Sequence, residues 1–348
     1  MQKTAHHALY RSHRPQTFTD VYGQDHVVDV LKAAIKNKKI AHAYLFVGGR
    51  GIGKTSIARI LAREIGVSDK DLYEMDAASH TGVDNIRELR EAVQVMPFES
   101  PYKMYILDEA HMLSKSAWNA FLKTLEEPPA HVIFVMATTD IEKVPDTIQS
   151  RCEVYAFKQP TRAVLAKMIA DVAKKEGYAL EQSAADLIAM LAEGSFRDGL
   201  GILQKVLTLS KDKKVEVAEV ELVTGAPRHH LIRSLTEALA YNKRTDALAA
   251  VESAVSANLD MRMLVRLVLE RIRIVLLLAH APDLAEQLGA ELLPDEFEAL
   301  KKIAADKNQK ITTATLRLLL EAYDTMHFAA LPHLPLELAI IDATVSGE

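Results

Sequence analysis

The sequence predicts an α/β domain, a parallel sheet covered by helices on both faces, followed by two domains built of helices alone. Three observations carry this. From Gly23 to about Val154, short apolar runs alternate with amphipathic segments. Strands separated by helices pair in parallel, because each crossover returns the chain to the same end of the sheet. The runs are apolar enough to be buried on both faces. Beyond residues 154–162 the pattern changes to helix after helix.

Taken in order, the buried strands are expected at "AYLFVGG" (43–49), "LYEMDAAS" (72–79), "KMYILDE" (103–109) and "VIFVMATT" (132–139). Helices are expected between them at "DNIRELREAVQVM" (84–96) and "SKSAWNAFLKTLEE" (114–127), the latter stopped by Pro128-Pro129. Gln159-Pro160 marks a first boundary, and "TGAPR" (224–228), with Gly225 and Pro227 as breakers, a second. The domains are therefore expected at 1–159, 160–224 and 225–348. The last should hold helices near 228–241, 244–257, 260–280, 295–307, 312–330 and 335–346. No internal repeat or low-complexity tail interrupts this order.

Composition narrows the class. A chain of 348 residues, 49% hydrophobic and 26% charged, is long enough for two or three ordinary globular domains. Aromatics are sparse at 6%, which leans toward helix-rich packing. A formal charge of −5 excludes a strongly basic protein but leaves room for a local basic face. With Cys152 as the one cysteine, the chain can build neither a disulfide framework nor a cysteine zinc site. The start, "MQKTAHHALYRSHRP", has no apolar core, and "IRIVLLLAHA" (272–281) is too short to span a bilayer. A soluble cytoplasmic protein is expected, with no membrane partner.

The chemistry concentrates at "LFVGGRGIGKTSIARILA" (45–62). Gly48, Gly53, Lys54 and Thr55 have the spacing of a phosphate loop, with a strand before and a helix after. Glycines let backbone N–H groups close on phosphate oxygens, and the helix turns its positive end toward the same anion. Gly48, Gly49, Arg50, Gly51, Ile52, Gly53, Lys54, Thr55 and Ser56 are the candidate cradle. Lys54 would reach the β and γ phosphates of ATP, and the Thr55 hydroxyl would be a Mg²⁺ ligand. "YILDEAH" supplies the partner: Asp108 for the Mg²⁺ shell and Glu109 to orient or deprotonate the attacking water. Alone, that acidic pair would read equally well as an exposed strand end. Thr138-Thr139 ends a strand as a turn or as a γ-phosphate contact. Arg197, after the Gly194-Ser195 break, is a surface residue or one that reaches back over the phosphates.

Together these pieces resemble the AAA+ clamp-loader ATPases, most closely the gamma/tau type of bacterial DNA polymerase III. The resemblance rests on "RPQTFTDVYGQDHV" (14–27), "HAYLFVGGRGIGKTS" (42–56), "EMDAAS" (74–79), "YILDEAHMLS" (105–114), "AFLKTLEEPP" (120–129), "FVMATTD" (134–140), "SRC" (150–152) and "GSFRDGL" (194–200). It implies a P-loop AAA+ domain, a small helical lid and an all-α collar. It implies that Thr139 is the sensor-1 residue, Arg197 the sensor-2 residue, and Arg151 an arginine finger acting on a neighbouring subunit's ATP. Ala8, Arg11, Pro15, Val21 and Tyr22 would line the adenine pocket. Locally, no carboxylate precedes Arg151 at salt-bridge spacing, so its guanidinium is expected to be free of a local partner. An ordinary capping or surface arginine is the other reading.

Two departures stand out. Members of this family usually carry a four-cysteine zinc module between the P-loop helix and the second strand; here that interval is "REIGVSDKDLYEMD" (63–76), without cysteine. No zinc is expected. The chain also ends at Glu348, which suggests a short form without the tau extension.

The resemblance implies a DNA- and clamp-stimulated ATPase, grouped with a DNA polymerase but without a polymerase site of its own. Its partners would be other gamma/tau copies, delta and delta-prime in a ring, the sliding clamp, and primer-template DNA held through its backbone at the replisome. "MRMLVRLVLERIRIVLLLA" (261–279), apolar almost all round, fits a helix buried in a domain or an interface. Arg87, Arg90 and Lys115 are candidate DNA-phosphate contacts or simply solvated charges. The alternatives are a replication factor C-like small subunit, another AAA+ DNA motor such as a branch-migration helicase, or a non-catalytic structural subunit. The intact phosphate loop argues against the last.

Overall fold

The computed structural model describes residues 8–79, 82–210, 212–227, 229–285, 289 and 294–344. The chain forms two compact units, one of residues 1–177 and 185–204, the other of 178–184 and 205–348.

The first unit is built on a five-stranded parallel sheet. Its strands are β1 (Ala43–Val47), β2 (Leu72–Asp76), β3 (Lys103–Asp108), β4 (Val132–Thr138) and β5 (Glu153–Ala156), in the order β2-β3-β4-β1-β5. Side chains alternate across a strand, so each strand feeds two cores. Tyr44, Phe46, Ile106 and Val135 point to one face, where they meet Val28 and Leu31 of α2 (Asp25–Lys36) and Ile57, Ile60 and Leu61 of α3 (Lys54–Glu64). Leu45, Tyr105, Leu107, Phe134 and Met136 point to the other. There they meet Leu89 and Val93 of α4 (Val83–Val93) and Trp118, Phe121 and Leu125 of α5 (Lys115–Glu126). Burying each such large side chain contributes about 1.5–3 kcal/mol, so the two cores carry most of this unit's stability.

The four expected strands and both expected helices are present. Helix α5 starts at an N-cap, Ser114, whose hydroxyl accepts from Ala117 N, and it stops two residues before Pro128. β5 was not expected. It is a four-residue edge strand with Glu153, Val154 and Ala156 exposed, and its apolar stretch, Val154 to Phe157, is too short and too little buried to announce it. It pairs with β1 from Tyr44↔Glu153 to Val47↔Ala156. Beyond it lie the short α6 (Asp146–Gln149) before the strand, and α7 (Arg162–Lys175), α8 (Gln182–Leu191) and α9 (Phe196–Leu209) after it. At the start of the chain a single helical turn, α1 (Leu9–Ser12), is tied to α9 by a hydrogen bond from Leu9 N to Gln204 Oε1.

The second unit contains α10 (Val217–Thr224), α11 (His229–Ala240), α12 (Arg244–Ser256), α13 (Met261–His280), α14 (Pro294–Ala305), α15 (Thr313–Thr325) and α16 (Leu334–Ala343). From α11 on these fall within a few residues of the expected ranges, except that α15 stops at Thr325 rather than near 330. Gly225, at φ 67, ends α10 in the left-handed conformation that glycine adopts freely. A parallel pair of two-residue strands, Ala179–Leu180 and Lys214–Val215, was not foreseen from the helical pattern. Helix α13 is the core of this unit and packs against α11, α14 and α15. Arg271 on it is 4% exposed and is neutralised by Glu296, with Glu270 at 3.8 Å. Among the described residues no helix is long and apolar enough to cross a membrane.

One buried charge ties the first unit together away from the cleft described below. Asp71, fully buried before β2, accepts backbone hydrogen bonds from Phe98, Glu99 and Ser100, which precede β3. Burial pushes its carboxyl up, but these hydrogen bonds prevail and hold it at about 2, below the ordinary 3.8. A depressed carboxylate contributes stability that is fully present above the unfolded value and is lost as pH falls through the folded one. Replacing Asp71 by Asn is therefore expected to lower stability at neutral pH by about 1–3 kcal/mol. The gap to the wild type should narrow as pH falls from 3.8 toward 2 in urea unfolding.

Candidate nucleotide-binding site

The loop from Gly48 to Gly53 joins β1 to α3. Gly51 and Gly53 take φ of 73 and 105, which side-chain-bearing residues avoid. A Cβ on Gly51 would lie 2.1 Å from Ser195 Oγ, whereas one on Gly53 would meet nothing within 4 Å. Gly51 is thus required for packing as well as for its turn. Its carbonyl accepts the backbone N–H of Phe196 at 3.0 Å, which fastens the first turn of α9 to the loop. Helix α3 opens at Gly53, so its first N–H groups point out of the helix with no intrahelical acceptor.

Lys54 is the first residue of α3 and is 6% exposed. Its ammonium donates to Gly48 O and Gly49 O, both at 2.7 Å. Burial pulls its pKa below the ordinary lysine value, against the opposite pull of Glu109 and Asp108. Thr55 Oγ1 donates to Asp108 Oδ2 at 2.9 Å, so the hydroxyl on α3 and the carboxylate ending β3 share one point. Two hard oxygen donors in that position fit Mg²⁺, and the loop amides with Lys54 fit a phosphate chain.

Glu109 follows at φ 49, a left-handed conformation. Its carboxylate accepts from Thr139 Oγ1 at 3.4 Å and lies 3.5 Å from His111 Nδ1. Thr138 is fully buried, and its hydroxyl is used by Asp140 N, Asp140 O and His111. Of the two threonines, Thr139 is therefore the one whose hydroxyl faces Glu109.

A cleft of about 950 Å³ runs alongside. It takes in Pro15, Val21, Tyr22, Arg50, Gly51, Ile52, Gly53, Lys54, Thr55, Ser56, Asp108, Glu109 and Arg197 of the residues expected from sequence. Ala8, Arg11, Gly48, Gly49, Thr139 and Arg151 are not among its lining. Gly48 and Gly49 act through their carbonyls on Lys54. Ala8 caps α1 through its carbonyl, and Arg11 lies 5.7 Å over the Tyr10 ring. Arg197, the second residue of α9, lies 5.9 Å from the centroid of that same ring. Tyr22 donates to Asp171 on α7 at 2.9 Å; burial, reinforced by that bond, pushes its phenol up to about 12. Sequence reasoning missed Tyr10, Arg14, Met168, Val172, Lys175 and Leu200 in the lining. The apolar stripe of α7 reads as core, and nothing local marks its outer residues as part of a site.

Arg151 corrects one expectation. It is not free of a partner: Nη2 contacts Glu126 Oε1 at 2.6 Å, and Nη1 donates to Thr147 O at 2.6 Å. The carboxylate comes from the end of α5, brought beside α6 by packing rather than by spacing. Arg87 lies on α4 and Lys115 opens α5, both exposed; Arg90 is half-buried in the last turn of α4.

The parallel sheet, the phosphate loop and Asp108-Glu109 define the class, a P-loop protein of the AAA+ type. The Thermotoga maritima RuvB Holliday junction branch migration motor has this fold, with a TM-score of 0.53 and 20% identity over 65% of this chain and 79% of that one. A family model for DNA polymerase III, delta subunit, matches residues 23–74 and 67–161. One for DNA polymerase III subunits gamma and tau domain III matches residues 215–347. The DNA polymerase III subunit tau of Bacillus subtilis is 37% identical over 319 residues, 86% of this chain and 56% of that protein. The gamma/tau subunit of Mycobacterium tuberculosis H37Rv is 35% identical over 95% of this chain and 61% of its own length. That of Escherichia coli K12, named subunit tau, is 38% identical over 75% of this chain and 44% of its own. The chain belongs to the DNA polymerase III gamma/tau family. It spans 56% to 61% of the length of the first two of these relatives.

Gly51→Ala is expected to destabilise the protein by about 1–3 kcal/mol, through left-handed strain and the clash with Ser195. Gly49→Ala, whose nearest neighbour would stand at 3.9 Å, is the control. Thermal unfolding of the two variants should separate them clearly; equal melting temperatures would mean that the contact of the loop with α9 is dispensable.

Proposed function

We propose that this chain is an ATP-hydrolysing subunit of the bacterial DNA polymerase III clamp loader. In this reading ATP binding assembles the loader, and hydrolysis releases the sliding clamp on primed DNA. The observation that carries the reading is the Thr55–Asp108 hydrogen bond beside a buried Lys54, since it joins the two halves of a Mg²⁺-nucleotide site. Lys54 binds the β and γ phosphates. Thr55 and Asp108 hold Mg²⁺, which when bound offsets the phosphate charge. Glu109, steadied by Thr139, orients the attacking water and takes its proton. Arg197 covers the phosphates in cis. Pro15, Val21 and Tyr22 form the base end, with Ala8 and Arg11 supporting from α1. We assign residues 1–159 to the nucleotide domain, 160–224 to the lid and 225–348 to the collar. Cytoplasmic location, ring assembly with delta and delta-prime, and DNA-backbone contacts at Arg87, Arg90 and Lys115 belong to the same proposal.

Arg151 lies outside its own cleft, which supports the assignment to a neighbour's nucleotide. Its ion pair with Glu126 is half-exposed, and such pairs are worth about 0–1 kcal/mol. Releasing that pair costs little beside the about 10³-fold or more in rate, roughly 4 kcal/mol of transition-state stabilisation, that a trans arginine contributes.

Lys54→Ala is expected to abolish hydrolysis and weaken nucleotide binding; hydrolysis near the wild-type rate would refute the site. Arg151→Ala should leave ATP binding by the isolated chain unchanged and sharply reduce hydrolysis in the assembled complex. Mixing Arg151→Ala with Lys54→Ala subunits should recover activity over either alone, because some interfaces then pair an intact loop with an intact arginine. Normal hydrolysis by Arg151→Ala complexes would make Arg151 purely structural.

A further inference from the structure

Two residues after Glu109, His111 packs against the end of β4. It sits on the turn Ala110–Met112, whose first residue is fully buried. The turn is closed by backbone hydrogen bonds from Met112 N to Glu109 O at 2.9 Å and from Leu113 N to Ala110 O at 3.1 Å. Ring and carboxylate are thus carried on one fixed piece of backbone. The His111 side chain is 11% exposed, and its Nδ1 lies 3.1 Å from Thr138 Oγ1 and 3.5 Å from Glu109 Oε2.

The Thr138 hydroxyl decides which ring nitrogen carries a proton. Its Oγ1 stands 2.9 Å from Asp140 O. A carbonyl oxygen only accepts, so the single hydroxyl proton is committed there. Oγ1 in turn accepts from Asp140 N at 3.0 Å. What remains on Oγ1 is one lone pair, so the contact with His111 requires a proton on Nδ1. Thr138 is fully buried, so water does not compete for these partners. Nδ1–H is therefore a donor whether the ring is neutral or charged, and it stands between Thr138 Oγ1 and Glu109 Oε2.

Thr139 Oγ1 approaches the same oxygen, Oε2, at 3.4 Å. Both donors face one side of the carboxylate, and Oε1 has no partner among the described residues. Contacts of this length are long for hydrogen bonds, and those around a general base tighten when substrate is bound. We propose that His111 is a positioning residue for Glu109: its Nδ1–H, set by Thr138, holds Oε2 so that Oε1 is presented to the attacking water. This rests on the reading of Glu109 as the group that takes the water's proton. The water oxygen bonds the γ-phosphorus, the bond to the β–γ bridging oxygen breaks, and the water's proton passes to Oε1. His111 keeps its own proton throughout.

The test compares His111→Leu, His111→Asn, His111→Gln and Glu109→Gln in the full chain, under assembly conditions that give wild-type hydrolysis. ATP affinity, single-turnover hydrolysis and melting temperature are read for each. Leucine removes the donor, asparagine places an amide N–H near the Nδ1 position, and glutamine places one nearer Nε2. His111→Leu should slow hydrolysis about 10- to 100-fold, a share of the about 10²- to 10⁴-fold that a positioned base supplies. Its ATP affinity should stay near that of the wild type. His111→Asn should recover most of the rate, and His111→Gln should not. In a Glu109→Gln background, His111→Leu should slow hydrolysis no further, because no base is left to position. Normal hydrolysis by His111→Leu while Glu109→Gln is slowed overturns the proposal and leaves the reading of Glu109 standing. Equal losses in the Leu and Asn variants, or a further loss in the Glu109→Gln background, make His111 a packing residue and also overturn it. Should His111→Leu melt too low to assay, the two amide variants decide: equal rates overturn the proposal. If Glu109→Gln hydrolyses like wild type, the reading of Glu109 fails and takes the proposal with it.

Discussion

A buried ammonium organises the nucleotide cleft. Lys54 has lost most of its water and holds only the carbonyl dipoles of Gly48 and Gly49 in exchange. At an effective dielectric of 20, a unit charge 4 Å away interacts with it by about 4 kcal/mol. The fold supplies opposite charges by topology. In a parallel sheet all strands end on one edge, so β1 delivers the loop, β3 delivers Asp108 and Glu109, and β4 delivers Thr138 and Thr139 to the same place. An antiparallel neighbour would carry its terminal residues to the opposite edge. The acidic pair and the lysine thus share a site because the strands run the same way.

That arrangement was largely legible in the sequence. Its main parts are local: apolar runs of strand length, glycines at fixed offsets from Lys54, and two carboxylates closing an apolar run. The helices of the second unit were legible for a related reason, since each carries its own periodicity and its own breakers. Even there, the expectation for 261–279 took no account of Arg271, whose burial on α13 depends on Glu296 from α14.

What could not be read depends on residues far apart in the chain. β5 shows too little apolar surface to stand out, because as an edge strand it needs burial on fewer sides. The pairing of Ala179–Leu180 with Lys214–Val215 joins partners 35 positions apart with two residues on each side, and no local pattern encodes it. The cleft lining from Tyr10, Arg14, Met168 and Lys175 arises only when α1 and α7 have packed. Arg151 illustrates the same limit from the other direction: inspection of its neighbours in sequence finds no carboxylate, and Glu126 arrives through tertiary structure.

The backbone at Glu109 has a consequence for how this protein could be made more robust. A non-glycine residue in the left-handed region costs about 1–2 kcal/mol relative to glycine. Substitution by glycine would relax that turn, and asparagine would relax it in part. A screen that rewards thermal tolerance alone would therefore favour replacing Glu109, and would discard the carboxylate that Thr139 and His111 hold over the cleft. In the proposed mechanism thermal robustness and chemistry compete at this residue, so a stabilised version of this fold should leave that turn strained and seek its gains elsewhere.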